Sequence, residues 1–279
     1  MITQLHIVAH DDVDKGLIKQ VRSWANEVSE RASSESLLPL VHITIWKAIE
    51  ELQDFYRREK EALGIITGEE TDFLATHEAW RGYPRVHICE ETLKGIPSSV
   101  IQGVLHHEIS HAIHHGSPEF YTFRFTTRLQ EAARSHGLDL PLLQQCVYLL
   151  SVAIKDAEVV RWLVEVGLGF SQRALLEHTI SDTDDERRIW EGVRNSPVLS
   201  KIACAAFLKT LLPIEIMVSS GVEGAAALRN QWGRAYGWLL EGEQECLFRL
   251  THYAMNHEHR NFQDELEEVS LRLINEPSI

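Results

Sequence analysis

The segment Val104-Leu-His-His-Glu-Ile-Ser-His-Ala-Ile-His-His-Gly116 holds the side chains best suited to chemistry, with His107, Glu108 and His111 in an H-E-x-x-H pattern. Four-residue spacing on a helix stacks two imidazoles one turn apart on one face, so both can reach a single metal ion. Neutral imidazoles suit Zn2+, and a third protein ligand leaves one coordination position open for water. Glu108 then stands beside that water, placed to accept its proton.

Such a pattern needs a helix. Gly95-Ile-Pro-Ser-Ser99 reads as a turn and helix start, with the preset backbone angle of Pro97 and a capping hydroxyl from Ser98 or Ser99. The helix should run to about His115 and stop at Gly116. On a helical wheel His107, His111, His114, Val100, Gly103 and Val104 share one face, while Ile101, Leu105, Ile109 and Ala112 lie opposite. The back therefore anchors the helix and the front presents histidines. Gly103, one turn before His107, either makes room for substrate or allows close helix packing.

VLHHEISHAIHHG resembles the active-site helix of zincin metallopeptidases. The resemblance covers about Arg85 to Gly116 plus one later helix. It implies a helix behind a small sheet whose edge strand holds an extended peptide, a strand that Arg85-Val-His-Ile-Cys-Glu90 would supply. The metzincin variant has Gly at the position of His114 and His at that of Ser117, so the likeness is to gluzincin-like or aspzincin-like branches, whose third ligand is a carboxylate from a later helix.

Leu149-Leu-Ser-Val-Ala-Ile-Lys-Asp-Ala-Glu-Val-Val-Arg-Trp-Leu163 offers two such acids, Asp156 and Glu158. Two residues apart on a helix is about 200° around it, so both cannot face one metal. Gluzincin similarity points to Glu158, although that pattern has Asp where this chain has Trp162. Glu158 shares a polar stripe with Ser151, Lys155, Arg161 and Glu165. Asp156 instead sits among Leu149, Val152, Ala153, Val159, Val160 and Leu163, where an unpaired carboxylate would be expensive to bury and a metal would offset the cost. Asp156 stands slightly ahead as ligand or orienting group, Glu158 close behind, and Glu177 and His178 are outside candidates on a less regular segment.

The other histidines carry weaker signals. His106, His114 and His115 extend the cluster; they could orient the ligands or form a second, weaker metal site, and read first as polar residues near a helix end. His252, His257 and His259 form a looser group whose spacing fixes no face. Zincins often use a Tyr, His or Arg to stabilise an oxyanion, and Tyr121, Tyr148 and Tyr253 are open choices.

Composition bounds the rest. With 279 residues, 44% hydrophobic and 24% charged, the chain can bury a large core. A net charge of -14 repels a phosphate backbone and argues against nucleic acid as partner. Cys89, Cys146, Cys204 and Cys246 lack close C-x-x-C pairs and read as buried, reduced thiols. The start MITQLHIVAHDD has no secretory pattern, and the apolar run Cys146–Ile154 meets Lys155 and Asp156 too soon to span a bilayer. A soluble, cytoplasmic protein with no membrane partner is expected, acting on a peptide or protein and able to self-associate as a homo-oligomer.

Periodicity predicts a mostly α (α+β) fold. Leu5–Ala9 reads as a short strand before a turn at Asp11-Asp12, followed by helices over Val13–Ser33 and Val41–Leu63. Residues Ile65–Pro84 are rich in Gly, Thr and acids. Further helices are expected over Phe120–Ser135, Leu140–Val166, Asp184–Arg194, Leu199–Val218, Gln231–Tyr253 and His259–Ile274. The polar stretch from Ser181 to Arg188 suggests a boundary between a metal-binding catalytic domain, 1–180, and a helical C-terminal region, 181–279. Two functions compete: a zinc-dependent peptidase with Glu108 as general base, or a helical binding protein in which a structural metal, or none, sits among the histidines.

Overall fold

The computed structural model describes residues 4–10, 12–32, 40–65, 73–181, 183–256 and 261–276. It is mostly helical with one small sheet. Its contacts divide the chain into two compact units, Met1–Tyr121 and Thr122–Ile279. The linker-like residues that follow Ser181 lie within the second unit, where Asp184 opens a helix; Asp182, like Asp11, His257 and His259, lies outside the described residues.

The first unit contains β1 (Gln4–Ala9), α1 (Lys15–Arg31), β2 (Leu40–Trp46), α2 (Ile49–Leu63), β3 (Ala75–Glu78), β4 (Arg85–Cys89) and α3 (Ser98–His114). Its sheet has the order β1-β2-β4-β3, parallel except for β3. The single helix expected over Val41–Leu63 is instead a strand followed by a helix. Val41, Ile43 and Ile45 alternate as fully buried side chains, and the four-residue step from Val41 to Ile45 to Ile49 fits period two as well as a helix. Glu50 and Glu51 favour the start of α2, and Gly64 ends it in a left-handed conformation at φ 65°.

β4 also corrects an expectation. All five of its side chains are buried, and it lies between β2 and β3 rather than at an edge. The antiparallel edge is β3, from within the segment read only as Gly, Thr and acids. Four residues are too few for alternation to show.

The two sheet faces differ in chemistry. Arg85 and His87 point toward α2, where Arg85 pairs with Glu78 and lies over Phe55. The Trp46 indole N–H donates to His87 Nδ1 at 3.1 Å, which leaves the His87 proton on Nε2, 3.4 Å from Glu78. Burial pushes the His87 pKa down, so this ring is a neutral core histidine. The opposite parity, Val86 and Ile88, shares its face with His77 of β3. α3 packs on that side against β3 and β4, and against α1.

α3 starts at Ser98 with Pro97 as its N-cap and no capping side-chain bond. Neither Ser98 nor Ser99 caps, because both already lie inside the first turn. The other end is as expected, with the His115 amide closing on the His111 carbonyl at 2.7 Å just before Gly116.

Among the described residues the regular elements of the second unit are all helices: α4 (Thr127–Ser135), α5 (Leu140–Glu165), α6 (Gly169–Thr179), α7 (Asp184–Val193), α8 (Leu199–Ser219), α9 (Ala225–Ala235), α10 (Glu241–Asn256) and α11 (Phe262–Asn275). α5 and α8 pack along one another and form its axis. α8 is long and apolar enough to cross a membrane by length and composition, although no membrane span is expected from the sequence; 67% of its apolar stretch is buried in the fold. The helix expected over Gln231–Tyr253 is two. α10 starts afresh because buried Glu243 accepts the Leu240 amide at 2.7 Å and anchors Arg194 at 2.7 Å. The helix expected from Phe120 begins only at Thr127, whose predecessor Thr126 caps the Leu129 amide; Pro118–Tyr121 forms a short 3-10 turn. The segment containing Glu177 and His178, expected to be less regular, is the regular helix α6.

One ion network ties α2 to the sheet. Glu59 accepts from Arg81 at 2.6 Å and from Arg85 at 2.9 Å, and the Arg81 bond above all lowers its carboxyl from the ordinary 4.5 to about 2. A carboxylate lowered in the fold stabilises it above the unfolded value and loses that contribution as pH falls. The wild type should therefore lose stability between pH 4.5 and about 2, and Glu59→Gln should flatten that limb, as read by urea denaturation midpoints across the same range.

Candidate metal centre

α3 places its two spaced histidines as the helical repeat requires. His107 Nε2 and His111 Nε2 lie 3.0 Å apart, with ring planes at 75°. Two nitrogens bound tetrahedrally to zinc at about 2.0–2.1 Å lie about 3.3 Å apart, so the pair has close to the bite of a zinc site. His111 is also held from behind, because its Nδ1 is 2.9 Å from His115 Nδ1. A proton on the His111 Nδ1 in that contact leaves the Nε2 lone pair facing His107, as a metal ligand needs. His115 is fixed in turn against the edge of Phe120, with centroids 4.8 Å apart. His115 is thus in place to orient His111, one of the roles its position next to the cluster leaves open.

Glu108 projects from the same helix and meets a residue that sequence reasoning missed. Its Oε2 lies 2.5 Å from Nδ1 of His77 on β3, and the His77 ring stacks on His111 at 4.2 Å and 9°. Only the strand β3 brings His77 here, and a four-residue strand leaves no periodic signal. Tyr121 lies beside this group, 6.3 Å from His77 between ring centroids. Burial, then the charges of Glu108 and Glu78, push its phenol well above the ordinary value, so it keeps its proton.

The remaining histidines of α3 separate by face. His106 is fully buried, 3.4 Å from Glu27 of α1, and burial lowers its pKa to about 4. It belongs to the helix–helix packing. His114 is half-buried, and Gly103 is buried in α3.

On α5, Asp156 is buried at 8% exposure and Glu158 is half-buried. Lys155, from the polar stripe, is buried too, and that burial lowers its pKa against the opposing pull of Asp156 and Glu158. The ligand atoms of His107, His111 and Asp156 all lie within 4.8 Å of one another, a set of donors that could hold a metal ion. Glu158 and His178 are not in it; His178 is exposed on α6. Among the tyrosines of the second unit, Tyr148 is largely exposed and Tyr253 lies under the Arg272 guanidinium. His252 is exposed and bonds Asn256.

No protein-family model, curated protein or solved structure matches this chain. The donor set itself, two imidazoles and a carboxylate, is what suits a zinc-like divalent ion, and the orienting contact behind His111 adds to the fit. His115→Phe should lower zinc affinity about 10–100-fold, and His111→Ala more, in competition titrations against a chromophoric chelator.

Proposed function

We propose that this chain is a zinc-dependent hydrolase of the zincin type that cleaves peptide bonds. The observation that carries the reading is the His107, His111 and Asp156 group with Glu108 on the same helix as its two imidazoles. Among the described residues the group has three members, the number that leaves a coordination position for water rather than closing the site. That favours chemistry over a purely structural metal.

When bound, the ion supplies Lewis acidity toward the scissile carbonyl and toward water. His107, His111 and Asp156 would hold it. Glu108 takes the proton that water loses on attack and passes it to the departing amine. Tyr121, still protonated, donates to the oxygen on which negative charge develops.

A peptide fits this site better than a compact small molecule because of β3. Among the described residues its one hydrogen-bonded neighbour in the sheet is β4, so its outer edge can pair with an extended chain beside Glu108. The acid balance of the chain, 41 acidic against 27 basic residues, keeps nucleic acid out of the reading.

Glu108→Gln tests the assignment. It should retain zinc while hydrolysis of a fluorescence-quenched random peptide library falls about 100-fold or more, and chelation of the wild type should abolish activity that added zinc restores. Equal cleavage by Glu108→Gln and wild type would overturn the reading.

A further inference from the structure

His77 stands 31 residues before Glu108 and outside the H-E-x-x-H pattern, yet two contacts fix its ring. Nδ1 meets Glu108 Oε2 at 2.5 Å, and the ring face lies on His111 at 4.2 Å. A carboxylate only accepts hydrogen bonds, so in this contact the proton sits on His77 Nδ1. The strand beneath is itself held, since His77 pairs in register with Val86 and the adjacent Glu78 is anchored by Arg85.

A glutamate has three rotatable side-chain bonds, and a proton acceptor that must meet a water in one geometry loses rate when it swings. We propose that His77 is a positioning residue for the general base: it pins Glu108 through Oε2 and leaves Oε1 to receive the proton of the attacking water. The alignment of the base is then set by β3 rather than by α3 alone. This rests on Glu108 acting as the general base of a hydrolase.

Three variants separate the roles of the ring. His77→Phe keeps the stack on His111 and loses the donor. His77→Asn returns an N–H near the Nδ1 position, whereas His77→Gln places its amide near Nε2. With the zinc-loaded full chain and the random peptide library, His77→Phe should lower apparent kcat about 100-fold with KM within about twofold. His77→Asn should restore most of the rate and His77→Gln should not. Zinc affinity, measured without substrate, should be unchanged in all three.

The positioning role is overturned if His77→Phe, or His77→Gln should His77→Phe not fold, cleaves as fast as wild type. It is overturned equally if zinc affinity falls about 10–100-fold, the mark of a residue that orients a ligand instead. A zinc-loaded wild type that cleaves nothing overturns the hydrolase reading and the positioning role together. A wild type that cleaves while His77→Asn fails to recover overturns the positioning role alone.

Discussion

Two imidazole nitrogens 3.0 Å apart cannot both present bare lone pairs to each other; a proton or a cation has to lie between them. That constraint organises the first unit. α3 supplies the spacing, and the contact behind His111 sets which of its nitrogens faces inward. The sheet beneath α3 supplies the rest. Its α3-facing side carries Val86, Ile88 and His77, so one polar ring emerges from an apolar surface directly beneath the helix.

The opposite face of the same sheet shows what else histidine does in this chain. His87 is held by an indole donor on one nitrogen and a carboxylate on the other, and burial keeps it neutral. His106 is buried without entering the donor group. Identity alone therefore says little about role. What separates His107 and His111 from these rings is a second nitrogen lone pair within reach.

The helix that carries the site was legible because its signal is local: a four-residue spacing, a proline before it and a glycine after it. Asp156 was legible for a related reason, an acid placed among apolar positions on a long helix. β2 was not, because Val41, Ile45 and Ile49 satisfy two periods at once until the alternation of Ile43 is weighed. His77 depends on tertiary proximity, which no spacing encodes, whereas the contact of His115 with His111 follows the same four-residue step that joins His107 to His111. The broken helix at Tyr236–Leu240 was hidden for the opposite reason: apolar periodicity continues across it, while Glu243 gives the backbone a new start.

α8 carries apolar side chains almost all round, including Ile202, Phe207, Leu208, Leu211, Leu212, Ile214 and Met217, and its main partner is α5. A helix without a polar face has no stable existence alone in water. Ribosomal synthesis releases α5 first, so α8 emerges beside a surface that can already cover it, and the separation between them along the chain keeps the search short. Reversing that order, by circular permutation that places α8 ahead of α5, would leave a sticky rod waiting for its cover and turn a folding step into an aggregation hazard.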